Sequence, residues 1–318
     1  MVQYQLNLNL SNFFMASYLV SGATGFIGSR LVKMLVSQNH KVTLLSRKAI
    51  SQFDSILFDL ESDDFSQINL ENIDVIFHLA GIAHENNNSQ ISKKKYQKIN
   101  VDSVIKLAEF AVNSEVKKFI FVSTVKAGGT PTAATLNTEN DQNPLEGIYA
   151  KSKREAELKL IKLGKSTNMF ISIVRPALVY GPEVKGNLEL MLRAIERGWF
   201  PPLPKINNNR SMIHVDDLVE ALYLVSNNIR ANGEIFIATD GKSYSSHEIY
   251  QEMCFLLNKS VPKWTVPHLV FKLIALFHPS LKQKVNKLLG DESYSSGKIE
   301  SIGFKPKRTL REMNETSF

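Results

Sequence analysis

Tyr149 and Lys153 stand four residues apart in the segment Tyr149-Ala150-Lys151-Ser152-Lys153, a spacing that sets both side chains on one face of a helix. A phenol ionises near pH 10, too high for a base at neutral pH, but a neighbouring ammonium stabilises the phenolate. Together they make a usable proton acceptor and donor. Ser123-Thr124 ends an apolar run that reads as a strand, and ligands of open α/β sheets lie beyond the carboxyl ends of the strands. Upstream, Gly22, Gly25 and Gly28 are spaced G-x-x-G-x-x-G between the apolar run Tyr18-Leu19-Val20 and an amphipathic helix. Glycines so placed allow a tight turn and a close backbone approach to a pyrophosphate, at which the following helix points its N–H groups. A dinucleotide beside a proton-transfer pair is redox chemistry in which the cofactor carries the hydride and no metal is needed. His78, His84 and His214 lack metal-ligand spacing, and His78 and His214 read as structural.

These groups require a particular scaffold. The helix after the glycine loop carries Ile27, Leu31, Met34 and Leu35 on one stripe. Apolar runs at 41–45, 56–58, 75–79, 119–122 and 169–174 alternate with segments of helical spacing. Strand-helix alternation of this kind predicts an α/β fold, a Rossmann-like doubly wound parallel sheet. The longest connecting helix is expected around 96–112. Beyond Pro176, the prolines at 182, 201, 202 and 204 and the run Asn207-Asn208-Asn209 break the chain into shorter pieces. They announce a smaller, mainly helical carboxy-terminal substrate-binding region, with helices at 218–225, 246–257 and 269–277 and a strand at 235–238. The expected division is a nucleotide-binding domain over 16–180, to which the chain returns near 212–238, and a substrate-binding region over 181–211 and 239–318. Residues 1–15 read as a disordered extension.

Composition narrows the class. The chain has 318 residues, 43% hydrophobic and 22% charged, the balance of a folded globular protein. Its lone cysteine, Cys254, cannot form an internal bridge and reads as a small buried hydrophobe. No apolar run is long enough to span a bilayer, and the start lacks the pattern of a signal peptide; the expected location is cytoplasmic. The net charge is +7. Most of the excess lies after residue 250 and is not interleaved with aromatics as a nucleic-acid groove requires. The apolar segment 266–277 and its basic companion 281–289 read as helices packed over the substrate region or a partner subunit, with a membrane surface as the other possibility. The cofactor is chosen at the end of the second strand, where an acidic side chain would mark NAD. Ser46 stands there, followed by Arg47 and Lys48. Two cations suit a 2′-phosphate, so NADP(H) is preferred with NAD(H) possible; Arg47 stacking on adenine or facing solvent is the alternative.

From about residue 16 onward the chain resembles the extended short-chain dehydrogenase/reductases, the superfamily of nucleotide-sugar epimerases, dehydratases and reductases. The matching segments are SGATGFIG at 21–28, FDL at 58–60, HLAG at 78–81, Asn100-Val101, FVST at 121–124, YAKSK at 149–153, RPALVYGP at 175–182 and RSMIHVDD at 210–217. The resemblance implies that Tyr149 is the general acid/base, Lys153 its electrostatic partner and ribose anchor, and Thr124 the hydroxyl bonded to the reacting sugar oxygen. Gly22, Thr24, Gly25, Phe26, Ile27 and Gly28 would hold the pyrophosphate, with Arg47 beside the adenosine ribose. Asp59 and Leu60 would flank the adenine, Leu79, Ala80 and Gly81 would line the cofactor with Pro176, and Asn100 would lie under the nicotinamide side. Asn187 and Arg210 would contact the diphosphate of a UDP-sugar. Ser46 is a departure, because ordinary UDP-galactose 4-epimerases carry an acid there. The stretches at 175–187 and 210–222 are similar to a subgroup of bacterial surface-polysaccharide synthesis containing UDP-hexose 4-epimerases and UDP-4-keto-6-deoxy-N-acetylhexosamine reductases. The implied function is NADP(H)-dependent reduction at C4 of such a 4-keto sugar, the alternative being NAD-dependent 4-epimerisation and, behind both, a non-enzymatic nucleotide-binding regulator. Similar enzymes pair helices into a four-helix homodimer interface, for which 96–112 and 149–163 are the candidates.

Overall fold

The computed structural model describes residues 15–62, 64–83, 90–132, 135–277, 285–286 and 288–313. The expected extension, except its last residue, lies outside them, as do His84, Asn86 to Asn88 and most of the basic segment 281–289. In chain order the strands are β1 Ser17–Ser21, β2 Lys41–Ser46, β3 Asp54–Leu57, β4 Val75–His78, β5 Lys118–Val122, β6 Phe170–Pro176, β7 Leu178–Tyr180, β8 Arg210–His214, β9 Ile235–Ala238 and β10 Ser243–Tyr244. The α-helices are α1 Phe26–Ser37, α2 Gln90–Gln97, α3 Ser103–Asn113, α4 Gly147–Ser166, α5 Asn187–Glu196, α6 Val215–Asn227, α7 Ser246–Leu256, α8 His268–Phe277 and α9 Gly297–Ser301.

Seven strands form one sheet in the order β3-β2-β1-β4-β5-β6-β9, every pair parallel. Alternate residues of a strand face opposite sides, and here both sides are apolar. Tyr18, Val20, Ile120 and Val174 meet Leu31 and Leu35 of α1 and Leu218, Leu222 and Val225 of α6. Their neighbours Leu19, Phe119, Phe121 and Ile173 meet Val104 and Leu107 of α3 and Ala156 and Leu160 of α4. The result is the doubly wound, Rossmann-like α/β architecture that continuous apolar strands predict.

Two local departures matter to the site. The helix expected around 96–112 is interrupted by a π-helical turn, Lys98–Asp102, between α2 and α3, and the longest helix is α4, with 20 residues. Past Pro176 the chain leaves the main sheet and, after Ala177, enters a second one of three short strands, β10-β8-β7. Its strands are two to five residues long, too brief for alternation to show in the sequence. A separate core beneath it joins Tyr180, Leu188, Met212, Tyr244, Met253 and Phe271. Cys254 is buried in this core, and burial raises its thiol pKa, as suits a packing residue. Among the described residues no helix is long and apolar enough to cross a membrane.

Candidate active site

The glycine loop follows β1 directly. Gly22 has φ +74°, and a Cβ there would stand 2.7 Å from the Ala80 nitrogen, so only glycine fits between the turn and the end of β4. At Gly28 a Cβ would lie 2.2 Å from the Gly22 carbonyl oxygen. Gly25 caps α1 without a side-chain hydrogen bond, and the first turn of α1 holds no acidic residue. The opening N–H groups of α1 therefore face a cradle of bare backbone, with Thr24 exposed on the loop and Phe26 and Ile27 half-buried behind it. That combination fits a pyrophosphate. Gly81 continues it: a Cβ there would meet Asn100 Oδ1 at 3.0 Å and Lys153 Nζ at 3.5 Å, so the backbone at the end of β4 runs close to the proposed catalytic amine. Leu79 and Ala80 lie beside it, half-buried, with the Ala80 N–H donating to Ser21 Oγ.

α4 delivers the proton-transfer pair. Burial pushes the Tyr149 phenol up to about 12, partly offset by a hydrogen bond with the Thr124 side chain, while the nearby Tyr96 adds to the rise. Burial also pulls Lys153 down to about 8, against the opposing effect of Glu157. Lys153 Nζ donates to the Val122 carbonyl at 3.0 Å and sits 4.4 Å from the Phe121 ring centroid. The sequence predicts that Lys153 lowers the phenol pKa; in the structure desolvation by burial is the largest influence on Tyr149 and moves it upward. At neutral pH Tyr149 therefore holds its proton. Thr124, buried at the end of β5, also caps the 3₁₀ turn after it by accepting from the Lys126 N–H.

Sequence reasoning missed the support behind this pair. Glu157 continues the Tyr149–Lys153 stripe by one more turn and takes a bidentate pair from Arg175 of β6, Nε to Oε1 at 2.9 Å and Nη2 to Oε2 at 2.6 Å. Both side chains are buried. Arg154 adds a second guanidinium 3.9 Å from Glu157, donating to the Ala127 carbonyl and Gln142. The spacing 149, 153, 157 was the available signal. Asn100 lies in the π-helical turn with its amide fully engaged: Oδ1 accepts from the Ile82 N–H, and Nδ2 donates to the Ile82 carbonyl and to Ser152 Oγ. It thus ties the end of β4 to α4. His78 is buried between Phe119 and Phe121, with Nδ1 against Ser21 Oγ at 2.9 Å, and burial takes its pKa to about 3. His214 caps α6, its Nδ1 accepting from the Asp216 N–H. Both histidines have structural partners.

The remaining candidates spread away from this centre. At the end of β2 the Ser46 hydroxyl donates to the Lys48 carbonyl at 2.6 Å, and Arg47 and Lys48 are exposed. Asp59 is exposed, accepting from the Glu61 N–H, with Leu60 half-buried next to it. Pro176 ends β6 opposite Ala238. Asn187 is the exposed first residue of α5. Arg210 opens β8 with its guanidinium 2.8 Å from the Glu292 carboxylate.

A model of the NAD dependent epimerase/dehydratase family matches residues 18–238. The chain is 33% identical over 310 residues to UDP-glucose 4-epimerase of Vibrio cholerae, covering 93% of this chain and 92% of that one. It is 25% identical over 311 residues to N-acetyl-alpha-D-glucosaminyl-diphospho-ditrans,octacis-undecaprenol 4-epimerase of Escherichia coli O157:H7, covering 92% and 91%. A solved structure of UDP-glucuronic acid 4-epimerase from Bacillus cereus, in complex with NAD, superposes with a TM-score of 0.76 over 94% of this chain and 96% of that one at 19% identity, so the two share the fold.

Proposed function

This chain belongs to the NAD dependent epimerase/dehydratase family, enzymes acting on nucleotide sugars, and on that premise we propose that it transfers hydride at C4 of a UDP-hexose with NADP(H) preferred. The direction we propose is reduction of a UDP-4-keto-6-deoxy-N-acetylhexosamine for surface-polysaccharide synthesis. The observation that carries this reading is the end of β2, where Ser46 is turned onto the Lys48 carbonyl and Arg47 and Lys48 are exposed. No carboxylate stands there to repel a 2′-phosphate, and two cations stand ready to pair with one. A reductive enzyme must exchange its cofactor at each turnover.

The dinucleotide would lie on Gly22, Thr24, Gly25, Phe26, Ile27 and Gly28, with Arg47, Asp59 and Leu60 at its adenosine end and Leu79, Ala80, Gly81, Asn100 and Pro176 along its course. When bound, its nicotinamide supplies the hydride. Tyr149, protonated because it is buried, gives its proton to the C4 oxygen as the carbonyl becomes a secondary alcohol. Thr124 orients that oxygen by a hydrogen bond. Lys153 stabilises the phenolate left on Tyr149 and anchors the ribose. Asn187 and Arg210 would hold the UDP, Arg210 exchanging Glu292 for the diphosphate. A second copy of the chain would pack against α3 and α4, where Leu158 is exposed.

A second reading, reversible 4-epimerisation, is favoured by the Vibrio cholerae relative, named a UDP-glucose 4-epimerase. In it Tyr149 takes and returns the same proton. Absorbance separates the two. Stoichiometric loss of NADPH with a UDP-4-keto-6-deoxy-N-acetylhexosamine is the expected result; interconversion of UDP-glucose and UDP-galactose with no net change in cofactor would replace reduction by epimerisation.

A further inference from the structure

Residues 291–295 form a strap between β8 and the segment that leads into α4. Glu292 donates its N–H to the Asn209 carbonyl at 2.7 Å, and its own carbonyl accepts from the Ser211 N–H at 2.9 Å. On the opposite edge the Ser293 carbonyl accepts from the Asn137 N–H at 3.0 Å, and the Ser295 N–H donates to the Asn137 carbonyl at 2.8 Å. The strap is extended where it pairs with Arg210 and Asn137, so Glu292 and Tyr294, two residues apart, share a face. Burial raises the Tyr294 phenol, with Glu292 adding to the rise and Arg210 opposing it, which places the three groups together. The Tyr294 ring clusters with Val125 and Ala177, the residues next after Thr124 and Pro176. One face of the strap thus runs from the proposed reaction centre to Arg210.

The guanidinium assigned to the diphosphate therefore already holds an anion. Arg210 Nη2 donates to Glu292 Oε2 at 2.8 Å, a charge-assisted bond, and with that pair in place the Arg210 side chain is 11% exposed and that of Glu292 27%. A phosphate oxygen needs the same donors, and reaching them past the carboxylate would bring like charges into contact. The carboxylate borders water and can turn into it, while the strap stays fastened by bonds that do not use that side chain. We propose that Glu292 is a built-in competitor for the diphosphate subsite, holding Arg210 until a nucleoside diphosphate displaces it. The inference rests on the reading of Arg210 as the diphosphate anchor. Affinity for the nucleotide is then reduced by the fraction of molecules in which the pair is open. Because product and substrate would carry the same diphosphate, the returning carboxylate speeds release of either from Arg210.

Calorimetric titration of the full chain with UDP tests this without reference to turnover. Glu292→Gln, which keeps the shape and removes the charge, is expected to bind UDP about threefold to tenfold more tightly and to bind the nicotinamide dinucleotide as before. Glu292→Ala should behave alike, so a glutamine variant that fails to fold leaves the comparison standing. Arg210→Met should weaken UDP binding at least about tenfold. In that background Glu292→Gln should change the affinity by less than about twofold, since no guanidinium remains to be released. If Arg210→Met weakens binding but Glu292→Gln does not tighten it, the proposal is overturned and Glu292 is a support for Arg210. An equal gain from Glu292→Gln in both backgrounds also overturns it, because simple repulsion between carboxylate and phosphate would then be the cause. UDP binding untouched by Arg210→Met removes the reading of Arg210 as the anchor, a result distinct from the other two, and the proposal falls with it.

Discussion

In the proposed reaction Lys153 would serve catalysis at the expense of the fold. Burial moves its amine to about 8, so at neutral pH the protein holds a desolvated charge whose partners are a carbonyl, a ring face and the Glu157 carboxylate. Replacing it by an uncharged chain of similar length, Lys153→Met, is expected to raise the melting temperature by a few degrees and to abolish turnover, a trade found where strain or burial serves activity. The sign with pH follows from proton counting. Between about pH 8 and about pH 10 the unfolded lysine binds more protons than the folded one, so this residue's contribution to stability rises with pH. The gap in melting temperature between Lys153→Met and the unaltered protein should therefore shrink across that window, while turnover of the unaltered protein falls as the amine loses its charge above about pH 8. Thermal melts and rate profiles over the same buffers check both limbs. The pairing of Tyr149 with Lys153 was legible from their spacing, because i and i+4 must share a helix face. The direction of the Tyr149 shift was not, because desolvation depends on everything packed around the ring, Tyr96 and Thr124 included.

At the scale of elements, α4 and β6 are joined through Glu157 and Arg175, a buried bidentate pair. Breaking such a pair from one side leaves an unpaired charge in the interior and costs about 3–5 kcal/mol, whereas replacing both members by apolar groups is often neutral. Glu157→Leu is accordingly expected to lose about that much in urea unfolding, and Glu157→Leu/Arg175→Met to recover most of it. A double variant as unstable as the single one would show that the pair is not the link between the two elements. The strands of the main sheet were legible because they are apolar on both faces, as at Leu19-Val20 and Phe119-Ile120-Phe121. The small sheet was not: β7, β8 and β10 owe their pairing to residues far apart in the chain, Leu178 with Met212 and Tyr244 with Arg210. The π-helical turn escaped notice for a related reason, since its stabilising contacts, from Asn100 to Ile82 and Ser152, reach 18 and 52 residues along the chain.

Across the whole molecule, the carboxy-terminal segment fastens the layers together. Asp217 of α6 accepts from the Lys307 and Arg308 N–H groups at 2.9 and 2.8 Å and from the Arg308 guanidinium. Its neighbour Asp216 is shared between Arg308 and Arg30 of α1, the helix that opens on the glycine loop, and Leu310 is buried in the core beneath the small sheet. Removal of residues 306–318 should lower the melting temperature and weaken binding of the nicotinamide dinucleotide several-fold in calorimetric titration, through loss of the Arg308 contacts to α6; a truncated protein with unaltered affinity would show that the α1 contact transmits nothing. The parallel sheet carries a cost in time as well. β6 is buried along its whole length, Arg175 included, yet its outer partner β9 is encoded about 60 residues later. At synthesis rates of about 5–20 residues per second, the edge of β6 stays unpaired on the ribosome for about 3–12 s. For that interval the nascent chain presents an open strand edge of the kind that pairs with other chains, so co-expression of a holding chaperone is expected to raise the soluble yield.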